Sequence, residues 1–381
     1  MHVLSILLGL GIILSVLLDA FETVALPRRV TRQFRLTAWF YRRTWVPWRR
    51  VARCINNAPR REAFLGYFGP LSLIFLLAFW ALSLVVGFAL VQYGAGEHVH
   101  LAGEAVNFWT VLYMSGETFF TLGLGDVTPV TAPARVLTVL ESGMGFAFLA
   151  VVIGYLPTIY SAFSRREIEI SLMDARAGSP PTAAEVLSRF GNCPEQTLLD
   201  DILTGWERWS AEILESHLSY PVLSFFRSQH NNQSWLGALM AVLDTSTLVI
   251  TGVDRIRIEQ AKLTFAAARH AIVDLAQVVN ARYDPTDPDR LPAEDLLRLR
   301  KELSDRGVRL KEGPDAEQKF KDLRLMYEPY AQAIARTLLI SLPPWIHSEK
   351  RRDNWKGGPW DKAIRKQSTD GHHFYGMDDH F

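Results

Sequence analysis

Cysteine is scarce in this chain: two residues in 381, Cys54 and Cys193, far apart in the sequence. Isolated thiols of this kind give neither a disulfide framework nor a metal site. The signatures of catalysis and cofactor binding are missing as well. No GxGxxG follows a strand pattern, so a dinucleotide-binding domain has no support. There is no P-loop, HExxH or CxxC pair, no nucleophile elbow and no EF-hand loop. The chain therefore reads as a non-enzyme. Strand-like alternation is also scarce after residue 163, which leaves helix as the expected structure there.

Apolar sequence is plentiful but unevenly spread. Hydrophobic residues make up 49% of the chain, yet the mean hydropathy is only +0.06. Three membrane-length runs lie within residues 1–163, and residues 164–381 read as soluble. The first run, Val3 to Leu18 and extendable to Leu26, has no basic residue ahead of it and eleven arginines after it. A secretory leader has the opposite order, so residues 1–26 are expected to form a transmembrane helix. The positive-inside rule places its N-terminus outside and residue 27 onward in the cytoplasm. That pattern suits a bacterial inner membrane. Asp19 and Glu22, near the inner end, are expected to pair with nearby arginines at the headgroup level. The alternative for them is a buried acid.

Residues 27–62 hold those eleven arginines against Glu62 alone, a local charge of +10 in a chain of net +1. Trp39, Phe40, Tyr41, Trp45 and Trp48 are interleaved. Between two membrane spans, this composition predicts an amphipathic cuff against anionic inner-leaflet headgroups rather than a nucleic-acid surface. Arg29, Arg32 and Arg35 recur every third residue, as in a voltage-sensor helix. A sensor needs a bundle of membrane helices with countercharges around it. Here one span precedes the run, and Pro27 and Pro47 are expected to break it.

The second run, Phe64 to Tyr93, is thirty residues, roughly 45 Å as a helix and enough to cross with tilt. Residues 95–104, with Glu97, His98 and His100, are expected to be a solvated outer loop. Residues 105–120 read as a helix too short to span, and the third run, Ala134 to Phe163, crosses back. Between them lies Thr121-Leu122-Gly123-Leu124-Gly125-Asp126, with Pro129 beyond. Glycine at every second position opens backbone conformations closed to other residues. Carbonyls that would alternate in a strand can then all face one axis, where they replace the hydration shell of a cation.

This stretch resembles the selectivity filter of the tetrameric pore-loop potassium channels, and the resemblance covers about residues 64–163. It implies a pore domain at 63–163 made of an outer helix 64–93, a pore helix 105–120, a filter 121–126 and an inner helix 134–163. Thr121, Leu122, Gly123, Leu124 and Gly125 would line the ion path, with permeant potassium as the bound ion and no other cofactor. Glu117, four residues before Thr121, matches the family's carboxylate behind the filter. There it would face Asp126, sharing a proton or bridging through water. Gly145, twenty residues after Gly125, stands where such channels carry a hinge glycine, and Gly143 offers a second flexible point. Close packing against the pore helix is an equal reading of both. Glu141, at membrane mid-depth, is expected behind the filter and bonded to the pore helix. Pro157 predicts a bend near the inner mouth, with or without a gating role. One loop per chain implies four chains, because a single loop cannot surround an ion. Leu124 departs from the family's usual Tyr or Phe and leaves a weakly selective cation pore as an alternative.

The rest reads as a linker (164–181), a helical domain (182–348) and a disordered tail (349–381). Thr182-Ala183-Ala184-Glu185 has the form of a capping box. Helices are expected at 195–217, 233–251, 253–281, 292–306 and 314–341, with a turn at Asp284–Pro288. The run Trp235 to Thr251 is apolar enough for a fourth span, but Asp244 near its centre favours a buried helix. His217, Arg227, His230 and Asp244 are either a ligand pocket or satisfied core and helix-end polar groups. The expectation is an all-α membrane protein: a homotetrameric, potassium-preferring channel with one extra N-terminal membrane helix and a helical cytoplasmic domain of unknown ligand. A non-selective cation pore and a non-conducting scaffold for a membrane-anchored sensor are the competing readings.

Overall fold

The computed structural model describes residues 2–25, 35–96, 99–101, 106–191, 197–230, 232–253 and 257–346. Pro27, Arg28, Arg29, Arg32, Glu97, His98, Cys193 and the tail from 349 lie outside these residues. Among the described residues the fold is all-α apart from one pair of short strands, and the chain divides into two compact units, residues 1–162 and 163–381.

Three helices of the first unit are long and apolar enough to cross a membrane. The helix α1 (His2–Ala20), continued by a π-helical turn (Phe21–Ala25), packs along α3 (Ala58–Ala95). Small residues make that approach close. A Cβ on Gly87 would lie 2.7 Å from Ile13 Cγ1, and one on Gly94 2.7 Å from the backbone oxygen of His2. Ser5 Oγ donates to the Leu90 carbonyl at 2.8 Å. The opposite face, with Leu4, Leu7 and Leu14, is exposed, as a lipid-facing surface should be.

Asp19 corrects the sequence expectation. It is 0% exposed, and among the described residues it bonds to no arginine. Its carboxylate accepts the Thr37 backbone N–H at 3.0 Å, the Thr37 hydroxyl at 2.6 Å and Trp80 Nε1 at 3.1 Å. Thr37 lies in the first turn of α2 (Leu36–Arg53), whose own N-cap, Arg35, makes no side-chain capping bond. Asp19 therefore caps α2 from another helix, where the N-terminal dipole favours a negative charge. Glu22 does approach Arg35, at 3.8 Å. Pro47 does not break α2, which runs through it. Only the Arg43 carbonyl loses its donor, and Arg43 is on the exposed side.

Residues 99–101 of the expected outer loop form a strand. Strand β1 (Val99–Leu101) pairs antiparallel with β2 (Val127–Pro129), with His100 opposite Thr128. Val99 and Val127 pack with Ala89, and with Val111 and Met114 of α4 (Phe108–Phe119). Three-residue strands are too short to leave a periodic signal. Helix α5 (Ala132–Ala177) completes the unit and continues beyond it.

That continuation corrects the linker placed at 164–181, which is helical to Ala177. Arg166, Glu167, Ile170, Met173 and Ala177 are buried and hold the helix in the second unit. In α6 (Ala183–Phe190) Thr182 Oγ1 accepts the Glu185 N–H at 3.3 Å. The Glu185 carboxylate turns instead to Arg189 at 2.8 Å, so half of the capping box forms. Then come α7 (Thr197–Ser219), a 3₁₀ turn (Pro221–Phe225), α8 (Trp235–Gly252), α9 (Glu259–Val278), α10 (Ala293–Asp305), α11 (Pro314–Leu325) and α12 (Glu328–Leu338). Every residue of α8 from Trp235 to Ile250 is buried, with α6, α7, α9, α11 and α12 packed around it. The fourth apolar run is thus a core helix. The single helix expected over 314–341 is two. Pro329 cannot donate to the Leu325 carbonyl and its ring crowds it, so α11 ends there.

Candidate pore loop

The loop is set up by α4, whose N-terminus is closed by a capping box. Asn107 Oδ1 accepts the Trp109 and Thr110 N–H groups at 2.9 and 3.1 Å. At the other end the Thr121 N–H reaches Thr118 O at 3.0 Å and the Leu122 N–H reaches Glu117 O at 2.7 Å. The chain then leaves the helix with a distinctive dihedral pattern. Thr121, Gly123 and Gly125 have φ of +56°, +61° and +81°. A β-branched residue such as Thr121 in the left-handed region is an outlier, held there by its surroundings. Alternation in the sign of φ is the condition under which successive carbonyls share one side. Residues 121–126 are exposed in the single chain, Leu122 and Leu124 each at 63%.

Side chains of α4 and α5 support the loop. Glu117, 7% exposed, interacts with the Leu124 N–H and the Tyr113 hydroxyl. Tyr113 also donates to Asp126 Oδ1 at 3.4 Å, and Asp126 accepts the Val127 N–H at 3.1 Å. Tyr113 therefore stands between the two acids that sequence reasoning set face to face. Its position four residues before Glu117, on the same helical face, was the signal available for it. Glu141, 0% exposed, accepts from Gln92 Nε2 at 2.8 Å and bonds Ser115 Oγ, which also reaches Val85 O at 2.8 Å. One carboxyl thus joins α3, α4 and α5.

A Cβ on Gly145 would collide with the backbone of Phe119 at the end of α4, whereas one on Gly143 meets nothing within 4 Å. Close packing explains Gly145. Helix α5 passes both glycines and Pro157 without interruption.

The four residues grouped as a possible pocket do not converge. His217 is buried beside Arg166 and Trp235. Arg227 donates to the carbonyls of Leu338 and Leu339 at the end of α12. His230 is exposed. Asp244 is bound by Arg290 at 2.7 Å and by the Tyr327 hydroxyl at 2.7 Å. A small cavity lined by Leu248, Thr251, Arg300, Lys311 and Phe320, among others, includes none of the four. They were grouped by nearness in sequence, and helices separate such residues in space. No cluster of metal-ligating side chains occurs among the described residues.

Sequence reasoning missed Arg166, the fully buried guanidinium just past the apolar part of α5. It donates to Leu223 O at 2.9 Å, Phe226 O at 3.0 Å and Glu167 at 3.1 Å, and lies 3.3 Å from His217 Nε2. His217 Nδ1 lies 2.9 Å from Ile213 O, which assigns the proton to Nδ1 and leaves Nε2 to accept from Arg166. Burial first, then the charge of Arg166, pushes the His217 pKa down to about 3. In the unfolded chain it titrates near 6.5. The unfolded state therefore binds the extra proton between these values, and stability falls as pH drops below 6.5. The slope from this group is up to about 1.4 kcal/mol per pH unit. Pulse proteolysis of the full chain in urea should give a steeper loss from pH 6.5 to 5 in the wild type than in His217→Gln. Equal slopes would remove His217 as the cause.

A membrane protein with a buttressed loop between two apolar helices is what this geometry defines. Residues 74–161, from within α3 through the loop and into α5, match the family model described as "Ion channel". The chain is similar to "Uncharacterized membrane protein YdjJ" of Bacillus subtilis (strain 168), 22% identical over 238 residues, covering 62% of this chain and 68% of that protein. No solved structure matches.

Proposed function

We propose that the protein is a potassium-preferring channel that conducts passively as a homotetramer. The alternating positive φ at Thr121, Gly123 and Gly125 carries this reading. It suits a column of carbonyls from Thr121 through Gly125 that dehydrate ions in file, with repulsion between neighbours speeding exit. The exposed loop of a single chain is what four chains around one axis would cover. Glu117, Tyr113, Asp126 and Glu141 hold the loop from behind. The N-terminus lies outside a bacterial inner membrane, the second unit lies in the cytoplasm, and α2 rests against anionic headgroups of the inner leaflet. Nucleic acid is not a partner.

Gating follows from α5, which carries pore-lining and second-unit residues on one helix. A cytoplasmic ligand of unknown chemistry would bias the pore by binding two states unequally. Gly143, with space around it, and Pro157, with no backbone donor, are the points on α5 best suited to bend. The exposed Leu124, lacking the family's aromatic ring, favours a weakly selective cation pore as the second reading. Purified full-length protein in liposomes should take up potassium under a potassium gradient and leave a matched sodium gradient largely undischarged. Equal fluxes would establish the second reading instead.

A further inference from the structure

We propose that the elbow between α2 and α3 seats the phosphate of an anionic phospholipid, held by Arg49, Arg50 and Arg53 beside Trp48. This rests on the reading of α2 as a helix in the inner headgroup layer. Residues 35–61 contain eight arginines and no acidic residue. The inner face of α2 is consumed by packing: Phe40, Tyr41 and Trp45 are buried. Trp48 stacks flat on Phe64, centroids 4.4 Å apart at 12°, and Trp45 meets Phe68 edge-on at 4.8 Å. Those contacts pin the C-terminal half of α2 to the start of the apolar stretch of α3. The elbow is thereby set at the depth where hydrocarbon gives way to headgroups.

Two N–H donors at this seam, Trp48 Nε1 and Arg49 Nε, are shielded and have no acceptor among the described residues. Arg49 is also crowded by like charge. Loss of water, then Arg53, then Arg50, holds its pKa below the ordinary value. An anion with several acceptor oxygens would relieve both conditions, and guanidinium forks match phosphate geometry. The C-terminal end of a helix carries roughly half a negative charge, which opposes an anion. Three full positive charges outweigh it. The tryptophans belong to the same interfacial layer.

The test is native mass spectrometry of the full chain in detergent, with phosphatidylglycerol or phosphatidylcholine added and inorganic phosphate as competitor. The wild type should retain phosphatidylglycerol in preference to phosphatidylcholine. That preference should fall about fivefold per arginine removed in Arg49→Gln/Arg50→Gln/Arg53→Gln. The control pair Arg42→Gln/Arg43→Gln, on the same helix, should keep it. The single variant Arg53→Gln gives the same reading on a smaller scale if the triple variant does not assemble. Equal retention of the two lipids, or an equal loss in the control pair, would overturn the seat. Displacement by inorganic phosphate would make it a free-anion site and overturn its assignment to lipid. A spin label on Cys54 in a Cys193→Ser background separates the seat from the reading beneath it. A label in bulk water overturns the interfacial placement and the seat together. A label at headgroup depth without lipid preference overturns the seat alone.

Discussion

Gly123→Ala is expected to abolish ion flux in liposomes while leaving the protein folded and assembled. Gly123 has φ of +61°, and a Cβ placed there would meet nothing within 4 Å of its own chain. Packing within the chain therefore gives no reason for misfolding. Holding an L-residue in the left-handed region costs roughly 1–2 kcal/mol. In a ring of four chains that cost is incurred four times around one axis. The strain is relieved if φ turns negative, and the peptide groups on either side then rotate. The Leu122 and Gly123 carbonyls leave the axis, and with them goes the oxygen cage that replaces water around the ion. The expected readout is loss of potassium flux, with unchanged size on gel filtration and an unchanged urea midpoint for the second unit. Retained flux would mean that these carbonyls do not line the path.

The backbone pattern of the loop was legible in the sequence because its constraint is local. At Gly123 and Gly125 only glycine adopts those dihedrals freely, so the requirement there is written in the residue types; at Thr121 it is not. Glu141 was legible because a lone acid in an apolar run must be buried with a partner, although its particular partners, Gln92 and Ser115, were not. Asp19 was misread because its role depends on a helix that starts seventeen residues later and lacks its own cap. Nothing near Asp19 announces that. The pairing of β1 with β2 was too short to see. The break between α11 and α12 was visible in Pro329 and was passed over for the longer apolar pattern. Arg166 was the hardest, since an arginine after a membrane span ordinarily reads as a headgroup anchor. Here three interactions from α7 and the following turn, with two from its neighbour Glu167, enclose it, and no periodicity reports them.

Asp244→Ala should be the most damaging substitution in the second unit, lowering its stability by about 3–5 kcal/mol. Asp244 is 1% exposed at the centre of α8. It receives Arg290 through both terminal nitrogens, at 2.7 and 3.3 Å, and the Tyr327 hydroxyl at 2.7 Å. Burial pushes the Tyr327 pKa well above its ordinary value, so the phenol keeps its proton and needs an acceptor. Arg290 is also held by Glu328 at 3.2 Å and Pro343 O at 2.8 Å, and Glu328 by Arg324 at 2.8 Å. Removing Asp244 leaves one buried guanidinium with half its countercharge and one phenol without a partner. Against a typical total of about 5–15 kcal/mol for a domain, that loss is large. Asp244→Asn should cost less, because it keeps an acceptor for Tyr327. Asp244→Ala combined with Arg290→Met should recover part of the loss, since a removed pair leaves no stranded charge. Pulse proteolysis of the full chain in urea measures all three. A loss below about 1 kcal/mol for Asp244→Ala, on the scale of a surface ion pair, would show that Glu328 alone compensates Arg290. The core of this unit would then rest on the apolar packing around α8 rather than on its ion network.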